Sequence, residues 1–205
     1  MLVLLLALAC ASSAADPPLP LAPASLADAG ALAWTVPQAS PFGLALAESA
    51  RDYLGRPYTF GGRGKTLDCM GLVFRAWTDA GGGPWRSLSV NPTELVAGGS
   101  LGVPVPGASP VPSAAIVTAP LTVGDVLFFL TPKENPAEPS LVALDGTPLW
   151  VWHMGLYAGG DDKTFVVGDH FAGRVVETEL STYLEAHPEY VAVYAVRAGI
   201  GPAAR

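Results

Sequence analysis

The chain has 205 residues, half of them hydrophobic and only 14% charged, with a formal net charge of −7. That is long enough for one domain with a real core. The acidic balance excludes a basic nucleic-acid footprint and electrostatic adhesion to anionic membranes, and 23 glycines and 20 prolines argue for a loop-rich surface rather than an all-helical chain.

Residues 1–15, MLVLLLALACASSAA, have the form of an export signal: an apolar core from Leu2 to Ala9, then small residues Ser13, Ala14 and Ala15, with cleavage expected after Ala15. The core is too short to span a bilayer, and no Lys or Arg precedes it. Cys10 in Leu8-Ala9-Cys10 offers lipidation as the less favoured alternative. Either way the protein is expected to leave the cytoplasm. Residues 16–40 are rich in Pro and Ala without a sustained period and read as a linker or an extended arm. The domain is expected over residues 41–199.

From Phe42 a helical period begins, with Leu44, Ala47, Ala50 and Leu54 on one face and Gly55 as a stop. The stretch YTFGGRGKTLDCMGLVFRAW follows, residues 58–77. Its glycine turn leads through Asp68, a fitting N-cap, into a second helix with Leu72, Val73, Ala76 and Ala80 on one stripe. Asn91-Pro92 opens a short helix through Val96, and residues 98–120 read as an irregular surface loop. Strands are expected at Val126–Leu130, Leu141–Leu144, Leu149–Ala158 and Thr164–Val167, with Asp145-Gly146 as a hairpin turn. Thr182 and Glu185 have capping-box spacing for a last short helix, and Tyr190–Arg197 makes a final strand. Helices first and then adjacent antiparallel strands is an α+β layout.

Cys69 stands where a loop becomes a helix, and the unpaired N–H groups there favour an anion. Once Cys10 is removed or lipidated, Cys69 is the sole thiol, without an intramolecular partner. A buried inert cysteine is the plain alternative, but Asp68 and the glycine turn favour a nucleophile. A nucleophilic thiol needs a base, and among the three histidines His153, inside LWVWHMGLYAGG, is the candidate. It is expected to share a face with Val151 and Gly155. His187, before the helix-stopping Pro188, reads as a partner of a helix C-terminus and is set aside. A third group should orient the imidazole. Asp169, on the face of Phe165 and Val167, and His170, on the face of Val166 and Gly168, are the alternatives. Gly61 to Thr66 imitates a phosphate loop, but Thr59 stands where its first glycine belongs. Cys69, His153 and His170 lack the short spacing of a zinc site, so no metal is expected.

The blocks Tyr58/Gly61/Gly62, Asp68/Cys69/Gly71/Leu72, Gly124/Asp125/Phe128/Phe129 and His153/Gly155/Tyr157/Gly159, in that order, resemble the NlpC-type papain-like cell-wall cysteine peptidases. The resemblance implies a papain-like α+β fold, with Cys69 at a helix N-terminus packed on a small antiparallel sheet that carries His153. It also implies a cofactor-free cysteine amidase hydrolysing peptidoglycan stem peptides, often between D-glutamate and a diamino acid. Tyr58 would sit beside the nucleophile, with Asp68 in the vicinity of the oxyanion. Three departures stand out: Met70 replaces the usual Ser, the segment from Leu130 to His153 is long, and the third residue falls on Asp169 or His170. The alternatives are a Cys amidase or transferase acting on another substrate, and a non-catalytic wall-binding or interaction module. An inhibitory partner, as a secreted effector would need, leaves no mark in the sequence.

Overall fold

The computed structural model describes residues 38–199; the expected export signal, Cys10 and all but the last three residues of the arm lie outside the described residues. No helix among the described residues is long and apolar enough to cross a membrane.

Helix α1 (Pro41–Arg51) starts where Ser40 Oγ accepts from the Gly43 N–H at 2.9 Å, with Pro at the first helical position. Its buried stripe is Gly43, Leu46, Ala47 and Ala50. Ala47 and Ala50 are buried as expected, but the stripe turns towards Gly43 and Leu46, and Leu44 and Leu54 face solvent, at 51% and 46% exposure. Both sets satisfy helical spacing, and the close approach of Gly43 to the Val123 carbonyl and Gly124 decides between them. Helix α2 (Cys69–Asp79) is buried on nearly every side, through Met70, Leu72, Val73, Phe74, Ala76 and Trp77. It packs against α1 and against the sheet strands Thr147–Gly159 and Thr164–Asp169. Helix α3 (Pro92–Ala97) is capped as expected, Asn91 Oδ1 accepting from the Glu94 N–H at 3.1 Å.

Eight antiparallel strands follow: β1 (Gly102–Pro104), β2 (Val111–Pro112), β3 (Val126–Thr131), β4 (Val142–Leu144), β5 (Thr147–Gly159), β6 (Thr164–Asp169), β7 (Arg174–Glu179) and, after helix α4 (Leu180–Ala186), β8 (Ala192–Ala198). The sheet runs β1-β8-β3-β5-β6-β7, with β2 also on β8 and β4 on β5. Every residue of β3 is buried, which is why it reads as a continuous apolar run. Residues 98–120 are not the irregular surface loop expected. They bury Leu101, Val105, Ala108 and Ile116 and cover the edge of β8 with β1 and β2. Strand β7 was not legible in the sequence. Helix α4 begins at Leu180, not at a Thr182 cap; the Thr182 hydroxyl instead donates to Glu179 at 3.0 Å.

Apolar side chains separate onto the two faces of the sheet. One cluster joins α1, α2 and α3 to Phe128, Leu130, Met154, Leu156 and Val166. The other packs Leu127, Phe129, Phe165, Val167 and Val193 against α4 and the segment around Ile116. Strand β5 changes phase between them. Phe129 pairs with His153 but Leu130 pairs with Val151, so Trp152 is an extra, bulged residue. His153 therefore does not share a face with Val151, which joins the helix-side cluster.

Candidate active site

The glycine turn before α2 is built around one carboxylate. Asp68 accepts from the Gly71 N–H at 2.6 Å and the Gly61 N–H at 2.8 Å, and it pairs with the Arg63 guanidinium. Asp68 is thus both helix cap and turn anchor. A Cβ on Gly71 would collide with the Gly62 carbonyl oxygen, so the turn lies directly on the helix. On the sheet side, a Cβ on Gly168 would meet the Asp68 carbonyl at 2.9 Å and the Cys69 nitrogen at 3.1 Å. The start of α2 is therefore pressed on β6 where only glycine fits.

Cys69 is partly exposed. Burial first, and the nearby Asp68 charge second, push its thiol up to about 12, against the pull of backbone N–H groups of Met154 and Met70. Met154 is the neighbour of His153, so the sulfur sits beside the strand that carries His153. Cys69, Asp68 and His153 line one cavity of about 420 Å³, whose wall also includes Trp152 and, from the long segment before β5, Asn135 and Glu138. That segment therefore borders the cleft.

His153 is 5% exposed, and its Nε2 is buried without a hydrogen-bond partner. A buried unpaired nitrogen costs stability, so packing alone does not account for it. Burial, the largest cause, brings the imidazole down to about 4, while the Asp169 charge pulls the other way. The ring lies parallel to those of Tyr183 and Tyr190, each 6.2 Å away, and 6.3 Å from Phe129. Burial holds both tyrosines above the usual phenol range.

The β5–β6 ladder ends at Gly155–Val167, and Asp169, two residues further along β6, lies near enough to His153 for its charge to favour the protonated ring. Its Oδ1 accepts from the N–H groups of Phe171, at 2.7 Å, and Ala172, at 3.2 Å. His170 is exposed beyond the strand end, its ring 3.8 Å from Phe171 and 6.1 Å from Tyr58. Tyr58 is close enough to Cys69 and Asp68 to feel their charge after burial, the larger effect, and is pushed up to about 12.

Sequence reasoning passed over His187, Tyr183 and Tyr190. His187 is buried at the end of α4, its ring 4.3 Å from Tyr183, and its charge opposes protonation of His153. Its place at a helix end was legible, but its nearness to His153 depends on α4 folding back over the sheet. Among the described residues no cluster of three metal-ligating side chains occurs.

No protein-family model matches the sequence, and no curated protein matches it. Solved structures do. An N-acetylmuramoyl-L-alanine amidase from Bacteroides uniformis superposes with a TM-score of 0.56 at 13% identity, over 78% of this chain and 100% of that one. The NlpC/p60 domain of peptidoglycan hydrolase SagA gives 0.45 at 16% identity, over 75% and 97%. An NLP/P60-family protein, similar to lipoprotein, from Staphylococcus aureus gives 0.46 at 20% identity, over 78% of this chain and 42% of that one. The amidase likeness shows the fold: an α+β domain, the layout that the NlpC-type resemblance implied.

Proposed function

We propose that the protein is an exported cysteine amidase that hydrolyses amide bonds in peptidoglycan stem peptides, with Cys69 as nucleophile and His153 as base. The observation that carries this reading is the meeting of Cys69, at the start of α2, and His153, on β5, in one cavity of a fold shared with a wall amidase.

The chemistry follows from the charge states. At neutral pH burial keeps both thiol and imidazole uncharged, so the thiol proton passes to His153 as the sulfur attacks the carbonyl carbon. Backbone N–H groups at the start of α2 stabilise the developing oxyanion. The imidazolium then protonates the leaving amine, and water, deprotonated by His153, releases the acid from the thioester. Asp169, whose charge favours the protonated ring of His153, is the residue we assign to orienting the imidazole and balancing its charge. His170 is left to the Tyr58 side of the site. No cofactor enters the scheme.

Digestion of purified sacculi, followed by mass spectrometry of the released peptides, tests this. The wild-type protein is expected to release new termini and Cys69→Ala to release none, with unchanged circular dichroism. Equal release by both proteins would overturn the assignment of Cys69.

A further inference from the structure

The segment between β3 and β4 borders the cleft, and two tryptophans of β5 hold it there. The Trp150 indole N–H donates to the Glu138 carbonyl at 3.1 Å, and the Trp152 indole N–H donates to the Lys133 carbonyl at 2.7 Å. Thr93, in the first turn of α3, adds a hydroxyl bond to the Pro139 carbonyl at 3.2 Å. The Lys133 side chain lies back over Trp152, its ammonium 4.3 Å from the ring centre. Backbone and charged head are thus both fixed on one indole, and that indole, 40% exposed, lines the cavity of Cys69 and His153. A cation placed in advance loses little freedom when an anion reaches it.

A cation over an aromatic face is attracted to it but keeps its charge. Lys133 is exposed, and no carboxylate answers it: among the described residues the ion pairs join Arg51 to Glu177, Arg63 to Asp68, His187 to Glu189 and Arg197 to Asp125. Inside the cavity the balance has the other sign. Arg63 cancels Asp68, which leaves Glu138, whose carboxylate accepts only from the neutral Asn135 Nδ2 at 2.6 Å and the Thr93 N–H at 3.2 Å. The cleft is therefore negative within and positive at the Trp152 rim. An incoming carboxylate is drawn to the rim and turned away from the interior.

We infer that Lys133 receives a carboxylate of the substrate, beside the amide that Cys69 attacks, while Trp152 covers the apolar atoms next to it. Lys133 is then a specificity-determining residue that stays clear of the reacting atoms. The inference rests on the reading of a stem-peptide amide as substrate and deepens it, because it names an anionic group of that peptide as what the rim recognises. Such a peptide offers two, the α-carboxylate of its γ-linked glutamate and its C-terminus.

The peptide L-Ala-γ-D-Glu-L-Lys-D-Ala, titrated calorimetrically into the Cys69→Ala protein, reports binding without turnover. Two analogues accompany it, one amidated at the glutamate α-carboxyl and one at the C-terminus. One of the two amidations is expected to weaken binding about fivefold, the upper range for an exposed ion pair, and identifies the carboxylate that is read. Adding Lys133→Gln is expected to weaken the free peptide by the same factor and to leave that analogue unchanged, whereas Lys133→Arg keeps the preference. Lys65→Gln, which removes a cation of the glycine turn outside the cavity lining, is expected to change nothing. The inference is overturned if no peptide binds, if neither amidation weakens binding, if Lys133→Gln acts equally on free and amidated peptides, or if Lys65→Gln costs as much. Sacculus digestion keeps the two readings apart. Sacculi left intact by wild-type protein, beside a Lys133-dependent preference, count against the amidase reading alone. Cleavage beside a preference that Lys133→Gln does not move sinks this inference alone.

Discussion

Two neutral groups facing one cavity give the site its pH behaviour. Folding lowers the His153 pKa from 6.5 to about 4. Below pH 6.5 the unfolded chain takes up a proton that the folded chain refuses, so stability present above that pH is lost as the pH falls towards 4. The complete loss is about 3 kcal/mol. Urea melts at pH 7.5 and 4.5 are expected to show a smaller acid loss for His153→Gln than for wild type; an equal loss would contradict the buried neutral imidazole. Cys69 works in the opposite window. Its thiol is raised from 9.0 to about 12, so stability declines as the pH climbs between those values, and Cys69→Ser is expected to flatten that decline. The same burial explains why the two groups suit proton transfer during attack rather than a resting ion pair.

At the scale of elements, the site depends on how closely α2 is seated on β6. Gly168 allows the Asp68 carbonyl and Cys69 nitrogen to rest on the strand, and a methyl group there must lift the helix start. Gly168→Ala is therefore expected to lower sacculus cleavage by about a hundredfold, since a misplacement of about 1 Å is worth that much. The circular dichroism spectrum should keep its shape. Activity within twofold of wild type would mean that the helix start tolerates displacement. Asp68 holds the other side of the same joint through Gly61, Gly71 and Arg63. The bulge at Trp152 is a second positioning device, because it turns Trp152 to the rim and sets His153 on the face of Phe129.

Across the whole molecule, β3 is the strand on which both halves of the sheet hang, and an ion pair fastens its start to β8. Asp125, 1% exposed, accepts from the Thr122 N–H at 2.8 Å, the Thr122 hydroxyl at 3.2 Å, and Arg197 Nε and Nη2 at 3.2 Å each. The Gly124-Asp125 block that reads as a family signature is thus a fastening far from the nucleophile in role. Removing one partner of such a pair strands the other, so Asp125→Ala is expected to cost roughly 3–5 kcal/mol in urea melts. Asp125→Ala combined with Arg197→Met is expected to cost less than the two single changes summed; strict additivity would show that the pair does not act together.

The amino-acid order alone determined the local elements and singled out Cys69 and His153 as the candidates for nucleophile and base. An N-cap before Cys69, a proline after Asn91, an Asp-Gly turn and an all-apolar run from Val126 are short-range chemistry, complete within a few residues. Which face of α1 is buried, that residues 98–120 cover a sheet edge, and that β7 exists were settled by tertiary contacts that overrode equally good local alternatives. The choice between Asp169 and His170 belongs here too: both act on His153 through their charge, and we assign Asp169 by extending the β5–β6 register two residues past Gly155–Val167. Alternation along β6 puts them on opposite faces, but only the pairing with β5 says which face carries the imidazole, and a single bulged residue is enough to reverse the answer.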